Sequence, residues 1–195
     1  MDTRSGYIDT SALLVQIGMA FPANPLPAMS LRQVHLADLR SHRCIVALER
    51  KVTRLKDGAE QWSVISDAAL LECGDGLAFL DEKSFAYYLG AFLCFAVRHR
   101  DALLSSAEGD LVDSIVFSVT NRCSYNLRRL KRLSEPQIGA VTDFLHLFRD
   151  RSESCGTDAV EALEHYWHTP EAHRKSAPHT APAEQPRRRR ACHRI

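Results

Sequence analysis

LAFLDEKSFAYYLGAFLCFAVR, Leu77–Arg98, contains a helix written almost entirely in core residues. Asp81 supplies a side-chain oxygen for the first unpaired N–H groups, the usual chemistry of an N-cap. Phe85, Tyr88, Leu89, Phe92, Phe95 and Ala96 then recur at steps of three and four, which puts them on one face. Tyr87 and Leu93 widen that face until little polar surface is left. A helix this apolar is predicted to lie in the middle of the molecule, and Arg98-His99-Arg100 closes it with charges suited to a helix C-terminus.

The elements on either side follow from capping and breaking residues. Asp9 or Thr10 caps a first helix to about Ala20, with Leu13, Leu14, Ile17 and Met19 as its apolar side. Phe21-Pro22 ends it, because the residue before proline is pushed out of the helical region. Pro22–Pro27 is predicted to be extended. Residues 31–53 read as helix with an interruption near Ser41-His42, Ile45, Leu48 and Val52 facing inward. Lys56-Asp57-Gly58 is a turn, and Trp62–Ile65 is a short apolar segment. Ser66 or Asp67 caps a short helix that ends at Gly74, and Gly74-Asp75-Gly76 is a break.

Downstream of the central helix, Leu111–Thr120 (LVDSIVFSVT) fits two readings. Its β-branched residues suit a strand. Leu111, Ile115 and Ser118 suit a packed helix, which is the reading taken. Ser134-Glu135-Pro136-Gln137 has the layout of a capping box with proline in the first turn. Ile138, Val141, Leu145 and Phe148 form the buried stripe of the helix that follows. A last helix runs from a Thr157 cap through Trp167, with Val160, Leu163 and Trp167 inward.

The 195 residues are 45% hydrophobic and 25% charged, ordinary for a globular chain. The net charge of +1 hides an uneven distribution. Residues 169–195 hold seven Lys/Arg and two Asp/Glu, and the remainder holds 18 basic and 22 acidic side chains. The proline-rich, basic tail has no large apolar residue before Ile195 and is expected to be disordered. The division is therefore a frayed N-terminus at 1–8, one all-α or mainly α domain at 9–168 with five to seven helices, and the tail at 169–195. Six widely spaced cysteines without a CxxC pair point to thiols in a reducing cytoplasm. The N-terminus lacks a signal-peptide layout, and no apolar run is long enough to cross a bilayer.

Leu77–Arg98, together with LVDSIVFSV (Leu111–Val119), LSEPQIGAVTDFLHLF (Leu133–Phe148), EALEHYW (Glu161–Trp167) and Trp62, resembles an uncharacterised bacterial family. Its members show an "AFxYYLPAFL"-like helix, an "LVxxxVFSL" segment and a "FxxxQxxAVxxFLxxL" helix. The resemblance spans roughly residues 11–167. Gly90 stands where that family has proline, which bears on a kink in the central helix. The family is one of unknown function, so the resemblance implies no activity, cofactor or site residue.

Chemistry-bearing patterns are sparse. Glu161, His165 and His168 at i, i+4 and i+7 share a helical side, but zinc needs a fuller ligand set. An exposed helix end rich in acid and histidine is the reading taken. The cysteines and histidines form no local nucleophile signature. Trp62, Tyr87 and Tyr88 could line a pocket, or sit at the rim of the core with hydroxyls on carbonyls. Arg128-Arg129 with Lys131-Arg132, and Arg187, Arg188, Arg189 and Arg190 in the tail, offer only nonspecific phosphate contact. No catalytic, cofactor-binding or metal residue is assigned from the sequence. Three functions remain in play. The first is a cytoplasmic non-enzymatic interaction or accessory protein with a protein partner. The second is a small enzyme with a pocket near Tyr87, Tyr88 and Asp75. The third is a nucleic-acid contact through the arginine tail.

Overall fold

The computed structural model describes residues 8–27, 29–39, 61–151 and 154–168. These form eight α-helices, two short 3-10 turns and one π turn, with no strand among the described residues. The expected helix through Ile45, Leu48 and Val52, the 56–58 turn, residues 1–7 and the arginine tail lie outside them.

Helix α1 (Thr10–Ala20) starts where the Asp9 carboxylate accepts from Ser11 N–H. Its buried side is Leu13, Ile17 and Ala20. Met19, expected on that side, is 82% exposed. Two residues from Ile17 is about 200° around a helix, so Met19 faces away from the core by geometry. Helix α2 (Leu31–Leu39) opens on a reciprocal pair: Ser30 N–H donates to Gln33 Oε1 at 2.9 Å, and Gln33 N–H donates to Ser30 Oγ at 3.2 Å. This is a capping box that the sequence reading passed over. A 3-10 turn (Trp62–Val64) leads to α3 (Asp67–Glu72), capped by Ser66, and a second 3-10 turn (Gly74–Phe79) packs on α2.

Helix α4 (Glu82–Arg98) is central. Every residue from Phe85 to Val97 except Ala86 and Cys94 is buried, and α1, α3, α5, α6 and α7 all pack on it. It runs unbroken through Gly90. A Cβ at that position would lie 2.9 Å from Phe21 Cβ and 3.2 Å from Trp62 Cε2, so glycine lets the end of α1 and the Trp62 ring close onto the helix. Gln137 Nε2 reaches the Ala86 carbonyl at 3.4 Å. That is the acceptor a proline at position 90 would leave open.

Helix α5 (Ala107–Thr120) settles the ambiguous segment as helix. It begins earlier than Leu111, because Ser106 Oγ accepts from Gly109 N–H at 3.1 Å. Helix α6 (Ser124–Leu130), for which the sequence offered no signal, is too short to show a periodicity of its own. Helix α7 (Glu135–Phe148) carries the expected capping box, with Ser134 N–H donating to Gln137 Oε1 at 2.9 Å.

Helix α8 (Ser154–Ala162) starts three residues before Thr157, which is an exposed residue of its first turns. Cys155, Ala159 and Ala162 are buried and α8 packs on α5, whereas Val160 is turned outward. The chain continues as a π turn (Leu163–Trp167), in which His168 N–H bonds back to the Leu163 carbonyl. The wider turn buries both Tyr166 and Trp167.

Candidate functional site

The aromatic trio singled out from the sequence is a structural clasp. Trp62 Nε1–H donates to the Phe21 carbonyl at 3.0 Å, and Trp62 N–H donates to Tyr87 Oη at 3.3 Å. Tyr87 Oη–H donates in turn to the Ala23 carbonyl at 3.1 Å, and Tyr88 Oη–H to the Met29 carbonyl at 3.3 Å. All three rings are buried. Their polar ends hold the proline-rich stretch against α4, which is the rim-of-core alternative rather than a pocket lining. The side chain of Asp75 lies outside the described residues.

A second polar cluster joins the start of α3 to the end of α4. Arg98 grips Asp67 through Nη2 and, at 3.4 Å, Nε; His99 Nε2 lies 2.8 Å from the same carboxylate. The His99 ring stacks on Phe95, centroids 4.3 Å apart. Burial pushes the Asp67 carboxyl up, but the hydrogen bonds and charges of Arg98 and His99 outweigh it and hold the group below its ordinary value. Cys94, one turn back, is pushed up to about 11 by burial, against the pull of Arg98 and with a small push from Asp67. A thiol that keeps its proton at neutral pH is a poor nucleophile. The cluster therefore fastens two helices whose dipoles suit its charges.

The basic stretch before α7 is also committed internally. Arg132 Nε lies 2.9 Å and Arg128 Nε 3.9 Å from the Glu82 carboxylate. Arg129 is 2% exposed. Its Nη1 donates to the Leu77 carbonyl at 2.8 Å and its Nη2 to Asn126 Oδ1. The guanidinium lies between the rings of Phe85 and Tyr125, 4.2 and 4.6 Å from their centroids. Two of the four basic residues thus neutralise an acid and a third serves the core, which leaves little for phosphate.

The trio Glu161, His165 and His168 is not assembled. Glu161 Oε1 accepts from Arg122 at 2.8 Å, and the π turn shifts the register of the residues after Ala162. Among the described residues no three His, Cys, Asp or Glu side chains gather to hold a metal ion. His168 instead meets His146 from the last turn of α7, with Nε2 to Nε2 at 3.1 Å. An open groove of about 330 Å³ runs along α8 between Arg149, Arg151, Glu161 and Glu164. Its charges are mixed and its walls shallow.

The outer side of α1 is different in kind. Val15 and Met19, one turn apart, are 63% and 82% exposed, and Gly18 between them has open space above it. Apolar side chains so placed are covered by nothing in the described residues.

Residues 9–171 match the model of the DUF6714 family, a family of unknown function. The chain belongs to that family. No curated protein and no solved structure matches it. The DUF6714 match extends slightly beyond the 11–167 of the sequence resemblance at both ends. Two arrangements in this DUF6714 chain escaped the sequence reading. Arg129 meets Leu77 across 52 residues, and His146 meets His168 across 22. Neither has a local spacing that would have marked it. No described helix is long and apolar enough to cross a membrane.

Proposed function

We propose that this chain is a non-enzymatic interaction or accessory protein of the cytoplasm that holds a protein partner on the outer side of α1. The observation that carries the reading is the exposed Val15–Met19 face on a helix that is apolar nearly all round. Such a helix is ordinarily buried on all sides, and exposed apolar surface of this kind is where binding energy is available. The clusters that would serve an enzyme, at Asp67–His99 and Tyr87–Tyr88, are absorbed in holding helices together. The cytoplasmic location rests on the sequence: six widely spaced cysteines without a CxxC pair suit a reducing compartment.

Affinity capture from the native host with the wild-type chain and with a Val15→Glu/Met19→Glu variant tests this. A stoichiometric protein held by the wild type and retained at least roughly tenfold less by the variant, at unchanged thermal stability, supports it. A partner held equally by both moves the site elsewhere. No partner with either form overturns the interaction reading and returns weight to an enzyme.

A further inference from the structure

We propose that His146 and His168 form a two-imidazole clamp for a borderline divalent transition ion of the zinc, nickel and copper group. The two Nε2 atoms are 3.1 Å apart and the ring planes are inclined by 30°. Imidazole nitrogens sit about 2.0–2.1 Å from such ions, so two on one ion are separated by roughly 2.8 Å at a right angle and roughly 3.3 Å at the tetrahedral angle. The observed separation falls between these limits, so the pair needs almost no rearrangement to share an ion. Neutral imidazole is the ligand these metals favour.

The placement is built rather than incidental to a flexible end. His146 stands on the last turn of α7 and is half-buried. His168 is delivered by the π turn, whose wider loop closes through His168 N–H to Leu163 O at 3.1 Å. That turn is anchored by Trp167, buried and donating from Nε1 to the Val119 carbonyl at 3.1 Å. An α-helical continuation would carry residue 168 to another angle around the axis. π turns are rare and are frequently found at functional sites. Two protein ligands leave the remaining positions to water, which makes the site exchangeable, and its effect is to fasten the turn after α8 onto α7.

The test is a Zn²⁺ titration of the full chain at neutral pH, read by ring ¹⁵N NMR, which resolves each histidine. The expected result is that His146 and His168 Nε2 move together toward the metal-bound value as one event, and His165 does not join them. His168→Gln should abolish the response of His146 and weaken binding at that site at least about tenfold, while His165→Gln should leave it intact. His146→Gln is the reciprocal variant if the first alters the turn, and helix content by circular dichroism in the absence of metal shows whether either does. A His146 response that survives His168→Gln, or zinc uptake confined to other histidines and cysteines, overturns the proposal and leaves a plain hydrogen-bonded pair.

Discussion

At the scale of single residues, the core contains a cation answered without a carboxylate. Arg129 is matched by the Leu77 carbonyl, the Asn126 amide oxygen and two aromatic faces, and burial holds its pKa below the ordinary value despite the opposing pull of Tyr125 and Cys123. Arg129→Met should cost about 3 kcal/mol in urea unfolding, because two buried acceptors lose their donor; a loss under about 1 kcal/mol would show that water replaces it. Asp67 gives a pH-dependent counterpart. Its folded-state pKa lies below the ordinary 3.8, so its contribution is present above that pH and fades as pH falls through the lower folded value. Wild type should therefore be more stable than Asp67→Asn near neutrality, with the difference shrinking in acid below 3.8. Equal pH profiles would mean that the Arg98 and His99 contacts hold no net charge preference. The sequence showed Asp67 as a capping residue and Arg98 as a helix-end charge, but their meeting depends on how α3 folds back on α4. Arg129 looked like part of a solvated basic run, since nothing within four residues reveals that Leu77 lies opposite.

At the scale of elements, local chemistry was readable and register was not. Asp81 and Ser134 were found because a cap acts within three residues, and the central helix because its pattern is nearly continuous. Leu111–Thr120 was decided by Ser106, which lies outside the segment and caps it through Gly109 N–H. Gly109 and Gly156 show why the starts of α5 and α8 were misplaced. A Cβ on either would fall 2.0 Å from a carbonyl oxygen, Leu103 for the first and Arg151 for the second. Each helix therefore begins under the loop that precedes it, with glycine marking the contact rather than a break. Gly109→Ala or Gly156→Ala should destabilise by about 2 kcal/mol, the cost of moving backbone apart. Gly139→Ala, where nothing lies within 4 Å, should instead stabilise by about 0.5–1 kcal/mol through helix propensity. Thermal midpoints of the three variants decide the matter, and a common sign for all would refute the close approach. The π turn inserts a single residue's worth of rotation, too small for any periodicity to report.

At the scale of the whole molecule, the fold class was set by composition and helical spacing, and the distribution of surfaces was not. Met19 was placed inward because apolar residues were assumed to face the core, whereas α1 spends only one side on α4 and α7. The outer side of α1 is then expected to tolerate charge without loss of stability. Val15→Glu/Met19→Glu should unfold within a degree or two of wild type, and a marked fall would show that the face is covered. The two tryptophans of the chain add something further. Trp62 is bonded to the Phe21 carbonyl and Trp167 to the Val119 carbonyl, each sealed in the core at a different junction. The protein thus carries two intrinsic fluorophores, one watching where α1 and the proline-rich stretch meet α4, the other watching where the π turn meets α5. Single-tryptophan variants Trp62→Phe and Trp167→Phe, each compared with circular dichroism of the same variant, should give coincident denaturation curves if the helices melt as one cooperative unit. Emission that departs first at either junction would identify the end from which the molecule opens.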